Sequence, residues 1–175
     1  MHHLHTALKS FNERIGRVLA WLTVPMVIGT FAIAILRYAF DIGWIWMQES
    51  VLWMHAALFM LASAYTLAHD EHVRVDIFYR GLSASGKAWV NLLGTLLLLL
   101  PMSIFLISIS FDYVATSWAI REGSREAGGL PYPFVPLLKS VIPLSFVLVV
   151  IQGVASLLES AVALLRQAPP DAGDR

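Results

Sequence analysis

Four long stretches of the chain carry almost only apolar side chains, and short polar segments separate them. The first contains nineteen uncharged residues between Arg17 and Arg37, and three further uncharged runs cover residues 50–68, 88–111 and 140–158. Each run has about the length that an α-helix needs to cross a hydrocarbon core of roughly 30 Å. The pattern therefore predicts an all-α integral membrane protein with four transmembrane helices, at about residues 16–38, 49–69, 88–118 and 137–165.

The composition supports this prediction and removes several classes of function. Hydrophobic residues make up 58% of the 175 positions and charged residues 14%, which is too apolar for an ordinary soluble domain of this length. A cleaved signal peptide explains the first run poorly, because more apolar sequence and Arg37 follow it instead of a polar mature domain. Zero net charge without a basic stripe argues against nucleic-acid binding. The lack of cysteine excludes disulfides, thiolate metal sites and cysteine nucleophiles.

Basic residues are distributed unequally between the two sides of the predicted membrane. Eight of the twelve lie before the first span, between the second and third, or after the fourth: Lys9, Arg14, Arg17, Arg74, Arg80, Lys87, Arg166 and Arg175. The other four lie on the opposite side: Arg37, Arg121, Arg125 and Lys139. The positive-inside rule therefore predicts that both termini are cytoplasmic, with tails at residues 1–14 and 167–175.

The segment HDEHVRVD, residues 69–76, is strongly polar and follows the second predicted span. It is predicted to be a short cytoplasmic interfacial segment, in which His72, Arg74 and Asp76 fix an elbow where the chain returns to water. Its pattern fits a helix and a strand equally well. A metal site built from His69, His72 and Asp76 is the weaker alternative, because Arg74 lies in the same turn and no fourth ligand is evident.

Two segments are predicted to face outward. The first, FDIGWIWMQES, places aromatic side chains at the mouth of the second span, as in an interfacial aromatic belt. The second, residues 119–139, contains three glycines and three prolines, and a loop of this length and stiffness suits contact with an external partner. The predicted interfacial aromatics are Trp44, Trp46, Trp53 and Trp118, and the predicted docking contacts are Arg121, Glu122, Arg125 and Glu126.

A few ionisable residues lie within the predicted spans and are expected to form a structural polar layer near their outer ends. These residues are Arg37, Glu49, His55 and Asp112. An ion pair of Arg37 with Glu49 or with Asp112 is the expected way to satisfy their charges.

The middle of each predicted span, in contrast, contains no Asp, Glu or Lys, although a self-sufficient ion-coupled carrier usually needs such a group. Pro25, Pro101 and Pro143 are each expected near the start of a helix, where proline is tolerated, so paired broken helices are not predicted. The chain alone is therefore predicted to be a poor transporter.

The order of these features resembles the small membrane subunit, of the DctQ type, of tripartite ATP-independent periplasmic (TRAP) transporters. The resemblance covers residues 12–159 and rests on four segments in sequence. Arg37-Tyr38 ends the first span, WMQESVLW opens the second, HDEHVRVDIFY follows it, and GGLPYPFVPLLKSVIPLSFVLVVIQG leads into the fourth. Many members carry two adjacent acids where this chain has Gln48-Glu49, which weakens any role for a carboxylate pair.

This resemblance implies a non-enzymatic subunit in the bacterial inner membrane. Its partners would be a large multi-span membrane subunit and a periplasmic solute-binding protein, besides the lipid bilayer. It implies no cofactor in this chain, with sodium bound by the large subunit, and uptake of organic acids driven by an ion gradient.

Two other kinds of membrane protein are weaker alternatives. A haem b-binding anchor of a respiratory complex needs two axial histidines at matching depths, and only His55 lies inside a predicted span. A small four-span exporter needs a carboxylate near the middle of a span, which this chain lacks. A membrane enzyme is less favoured still, because no nucleophile, base and oxyanion arrangement can be assembled from these residues.

Overall fold

The computed structural model describes residues 13–68, residue 79 and residues 81–167, and within these ranges it contains helices and connections but no β-strand. Residues 13–20 are helical. The helices that follow in chain order are α1 (Thr23–Phe40), α2 (Ile45–Leu61), α3 (Ser63–Ala68), α4 (Ala84–Gly94), a π-helical segment (Thr95–Leu99), α5 (Leu100–Ala119) and α6 (Phe134–Gln167).

These helices form four stretches that are long and apolar enough to cross a membrane: Glu13–Phe40, Ile45–Leu67, Ala84–Ala119 and Phe134–Leu165. We call them the first to fourth spans. The prediction of an all-α protein with four potential transmembrane helices is therefore confirmed. The third span is the longest, and its 36 residues would extend about 54 Å as one straight helix, well beyond a hydrocarbon core of roughly 30 Å.

The spans pack in a spatial order that differs from their order in the chain. The first span packs on the second, the second on the fourth, and the fourth on the third. Within the described residues, no contact of similar extent joins the first span to the third or fourth. The four spans thus form a row, which we call the helix row, with the fourth span inside it and the first and third at its two ends.

The contact between the third and fourth spans is the most extensive in the helix row, and small or polar side chains are buried there. Ser103, Ser110 and Ser117 recur every seven residues along α5, and each is less than 10% exposed. A seven-residue period keeps one face of a helix against its neighbour, and small side chains let two membrane helices approach closely. The buried residues of the fourth span are Pro136, Ser145, Leu148, Gln152, Gly153, Ala155 and Ser160.

Pro25 and Pro101 lie near the starts of their helices as predicted, whereas Pro143 lies inside a helix, so the prediction for Pro143 is wrong. Pro143 is the tenth residue of α6. Pro101 is the second residue of α5, and α5 continues directly from Thr95–Leu99 in the middle of the third span. The π-helical segment lies where Pro101 lacks the N–H that an α-helix would direct to the Leu97 carbonyl, and irregular turns commonly accommodate such a loss.

Candidate interaction site at the long-loop end

The connection between α5 and α6, residues 120–133, is the long loop, and it folds back over one end of the helix row. The short connection between α1 and α2 lies at the same end, because the Trp46 N–H donates a hydrogen bond of 3.1 Å to the Gly128 carbonyl. We call this end of the molecule the long-loop end. Two acidic side chains, Glu49 and Glu122, attach the long loop to the spans beneath it.

Glu49 lies close to the start of α2 and holds the distal half of the long loop. One carboxylate oxygen accepts a hydrogen bond from the Ser124 hydroxyl, and the other accepts one of 2.7 Å from the Leu130 N–H. Both oxygens of a partly buried carboxylate are therefore satisfied by a loop that is 75 to 81 residues away in the chain. Hydrogen bonds to a charged group are among the stronger ones in proteins, so this contact fixes the loop to the second span.

The backbone of the long loop is folded tightly around Ser124. The Ser124 N–H donates to the Leu130 carbonyl at 3.0 Å, and the Glu126 N–H donates to the Ser124 hydroxyl at 3.1 Å. A Cβ atom on Gly129 would lie 2.6 Å from the Ser124 Cβ and 2.8 Å from a Glu49 carboxylate oxygen. Only glycine therefore fits at position 129 while this arrangement is kept. Gly128, with φ +81°, has a backbone conformation that other residues rarely adopt.

Glu122 holds the proximal half of the loop against the third and fourth spans. One of its oxygens lies 2.5 Å from the Lys139 ammonium and 2.6 Å from the Ser117 hydroxyl, which donates to it. Lys139 also lies 4.0 Å from the centre of the Tyr113 ring, in a cation–π contact. The hydrogen bond from Lys139, and after it the one from Ser117, holds the pKa of the Glu122 carboxyl below its ordinary value.

Aromatic residues join the spans at the same end. The Trp118 indole donates a hydrogen bond of 3.1 Å to the Ser140 hydroxyl and meets the Tyr132 ring edge-on at 6.1 Å. Trp53 packs against Phe134, again with ring centres 6.1 Å apart. These two tryptophans therefore connect spans to each other.

The remaining predicted tryptophans, Trp44 and Trp46, stack on one another and keep nearly half of their surface exposed. The interfacial role of all four tryptophans stays a prediction.

The predicted pairing of Arg37 with Glu49 or Asp112 is not found among the described residues. Within the described residues the ion pair found at this end is Lys139–Glu122, and Arg37 and Asp112 are both exposed at separate places in the helix row. The Glu49 carboxylate instead accepts hydrogen bonds from the long loop at both of its oxygens. His55 also departs from the expected polar layer, because it is the eleventh of the 23 residues of the second span and so lies at its middle.

The four predicted docking residues separate into two groups. Arg121, Arg125 and Glu126 are exposed on the long loop, whereas Glu122 keeps only 15% of its side chain exposed beside Lys139. Glu122 thus attaches the loop to the spans, while the other three residues form its exposed surface.

The predicted cytoplasmic elbow at His72, Arg74 and Asp76 lies outside the described residues, as does the alternative metal site. In the part of the chain that the structure describes, no group of three or more His, Asp or Glu side chains could hold a metal ion. Near that region, the Tyr79 hydroxyl lies 3.0 Å from the Asn91 side-chain nitrogen, which donates to it.

Sequence reasoning missed several residues that hold the long loop, namely Ser117, Ser124, Leu130 and Lys139. In the sequence analysis, Lys139 serves only as one of the basic residues that predict the orientation of the chain. Ser117 carried a signal, because it is the last member of the seven-residue series of serines in α5. The Leu130 N–H had none, since a backbone amide is present in nearly every residue.

Comparison with protein families gives a match over most of the chain. Residues 26–163 match the family described as tripartite ATP-independent periplasmic transporters, DctQ component. This chain belongs to the DctQ family. The resemblance found from its motifs is therefore confirmed, and the matched region contains Glu49, the long loop and all of α2 to α5. Comparisons with curated proteins and with solved structures gave no significant match.

DctQ proteins are membrane components of TRAP transporters, so the chain is a multi-pass transporter component and its family is not a catalytic one. Family membership favours a TRAP subunit over the haem-binding anchor and the small exporter. His55 is the sole histidine among the described residues, and the other five lie outside them.

Proposed function

We propose that this chain is the non-catalytic membrane subunit that stabilises the large subunit of a TRAP transporter and helps to dock its periplasmic solute-binding protein. The transporter takes up organic acids with sodium, which binds to the large subunit, and it works in the bacterial inner membrane. Both termini of the chain are cytoplasmic in this proposal and the long loop is periplasmic, which is the orientation that the distribution of basic residues favours.

One observation carries the docking role: the long loop is attached to the spans at two places, while three of its charged side chains stay exposed. Glu49 and the Glu122–Lys139 pair attach the loop to the second, third and fourth spans. Arg121, Arg125 and Glu126 remain exposed. A surface that is already ordered loses little conformational entropy when a partner binds, so a fixed loop is well suited to repeated docking.

The stabilising role is supported by the wide apolar faces of the helix row. Large apolar side chains are exposed along the spans, for example Leu52 at 63% and Phe59 at 76% in the second span. Within the described spans, Glu49 is held by the long loop and no acid or lysine lies at the middle, so the chain offers packing surface rather than an ion pathway.

Charge reversal on the long loop tests the docking role. Arg125→Glu and Glu126→Lys are each introduced into the complete transporter, and uptake into proteoliposomes is measured against the concentration of solute-binding protein. The half-saturating concentration is expected to rise several-fold, with the amount of subunit in the membrane unchanged, because charged contacts in a docking interface govern encounter and affinity. Arg37→Glu, at an exposed arginine of the long-loop end outside the loop, is the matched control.

An unchanged concentration dependence in both loop variants would exclude the docking role. An equal loss in the Arg37→Glu control would show a general charge effect and count against docking by the loop. The stabilising role has its own measurement, the recovery of the large subunit with this chain from native membranes in mild detergent.

A further inference from the structure

The second span exposes one narrow stripe of side chains along its length. Gln48, Leu52, His55 and Phe59 are exposed and follow one another at intervals of four, three and four residues, which places them on one face of α2. Leu52 and Phe59 expose 63% and 76% of their surface. We call these four residues the second-span stripe. The first and fourth spans cover other sides of the same helix.

His55 distinguishes this stripe from the other exposed faces of the helix row. It lies ten residues after Ile45 and twelve before Leu67, which puts it about 15 Å from one end of the span and about 18 Å from the other. A hydrocarbon core of roughly 30 Å therefore surrounds this position. The imidazole has no hydrogen-bond or ion-pair partner among the described residues, although it carries both a donor and an acceptor.

Several hydroxyl side chains within the spans satisfy themselves. The hydroxyls of Thr30, Ser50 and Ser108 each donate to a carbonyl of their own helix, at 2.7 to 2.9 Å. Their short side chains reach the carbonyl four residues back, and in this way they tolerate lipid. His55 makes no such bond, and an unsatisfied polar group facing hydrocarbon is unfavourable. A partner with a polar group at the same depth would remove this cost.

We propose that the second-span stripe is the face on which the large membrane subunit packs, with His55 hydrogen-bonded to a polar side chain or an unwound backbone segment of that subunit. This inference rests on the proposed function, which supplies the large subunit, and adds the face of contact. Leu52 and Phe59 flank His55 by one helical turn on each side and exclude lipid from its hydrogen bond. Gln48 lies at the long-loop end of the stripe, beside the loop that Glu49 fixes.

Site-directed photo-crosslinking tests the contact, and the chain is well suited to it because it contains no cysteine. Leu52→Cys and Phe59→Cys are labelled with a benzophenone maleimide in membranes that contain the assembled transporter, irradiated, and analysed for covalent products. Phe31→Cys in the first span and Ile109→Cys in the third are matched controls, with 66% and 61% of the native side chain exposed.

The expected result is a covalent product with the large subunit from both stripe positions, at least five times more abundant than from either control. Products formed only with lipid, only with a second copy of this chain, or mainly from the controls would overturn the assignment while the large subunit still co-purifies. Recovery of this chain without any large membrane protein would instead contradict the proposed function, and the inference with it.

His55 itself is tested by a pair of variants. His55→Leu is expected to lower the amount of large subunit retained after detergent exchange several-fold, whereas His55→Gln, which keeps a donor and an acceptor, retains most of it. Equal retention of the large subunit by wild type and His55→Leu would contradict the proposed hydrogen bond. A loss with both variants, accompanied by less chain in the membrane, would assign His55 to the folding of this subunit and contradict the proposal.

Discussion

The carboxylate of Glu49 accepts a hydrogen bond of 2.7 Å from the backbone N–H of Leu130, which lies 81 residues further along the chain. This bond joins the beginning of the second span to the end of the long loop, just before the fourth span begins. The loop is therefore attached to a helix that is not its neighbour in sequence. Its conformation depends on the packing of the second span against the fourth.

Removal of the Glu49 carboxylate is expected to loosen the long loop. Glu49→Ala leaves the Leu130 N–H and the Ser124 hydroxyl without their acceptor, which lowers the local stability of the loop by roughly 2 kcal/mol. Hydrogen exchange of the Leu130 amide is then expected to accelerate about thirtyfold, with a smaller change for Glu49→Gln. Glu126→Gln, at an exposed carboxylate of the same loop, is expected to leave the exchange rate unchanged. Equal rates in wild type and Glu49→Ala would contradict the proposed anchoring.

A titration toward acidic pH tests the Glu122–Lys139 pair. Because the folded-state pKa of Glu122 lies below its unfolded value, the pair stabilises the loop fully above the unfolded pKa, and this stabilisation is lost as the pH falls through the folded pKa. In an NMR titration, Lys139→Met is expected to raise the pKa of Glu122 most, and Ser117→Ala less, in the order of their contributions. A pKa that stays low in Lys139→Met would assign the shift to another group.

A bulky side chain at Gly153 is expected to separate the third and fourth spans. A Cβ atom there would lie 2.8 Å from Leu99 Cδ2 and 3.1 Å from Leu100 Cδ2, the flexible ends of two side chains. Gly153→Leu is expected to cost about 1–3 kcal/mol, measured as a lower unfolding temperature by circular dichroism. Gly153→Ala is expected to be nearly neutral, because the higher helix propensity of alanine, worth about 1 kcal/mol, offsets the tighter contact.

Gly94 supplies the control for this comparison. It lies on the third span, and no atom is found within 4 Å of the place that a Cβ would occupy there. Gly94→Leu is expected to keep or slightly raise the unfolding temperature, since helix propensity acts there without crowding. A similar loss at both glycines would mean that the close packing at Gly153 is not the cause.

The long elements of the fold could be predicted because their signal lies within single segments of sequence. Four uncharged runs of sufficient length suffice to indicate four membrane helices, whatever their neighbours are. The continuation of the third span past Pro101 has no such local signal, because it depends on packing against the fourth span, with Ser103, Ser110 and Ser117 buried between them.

The anchors of the long loop were beyond sequence reasoning for a different reason. The sequence shows Glu49 as an unusual acid in an apolar span and predicts an arginine as its partner, because opposite charges attract. Its actual partners are a serine hydroxyl and a backbone amide, which are common in every chain and identify nothing by type. Only the folded loop brings them to the carboxylate.

The π-helical segment at Thr95–Leu99 shifts the seven-residue repeat of buried positions in the third span by one residue. Ser117, Ser110 and Ser103 recur every seven residues, and the same series continues to positions 96 and 89. Leu96 and Trp89 are nevertheless 47% and 52% exposed, while Ala88, one position earlier, is buried at 7%. On the two sides of the segment the buried face is thus out of step by one residue.

Counted along its buried face, the third span contains one surplus residue, and Thr95–Leu99 absorbs it. Deletion of one leucine from positions 96–98 is therefore expected to remove the surplus residue and to keep Ala88 at the interface. Insertion of one more leucine would turn Ala88 away by about 100° and lower the amount of folded protein in the membrane. A change of one residue in length is therefore expected to be tolerated in this segment better than elsewhere in the third span, because the contacts on both sides can be preserved.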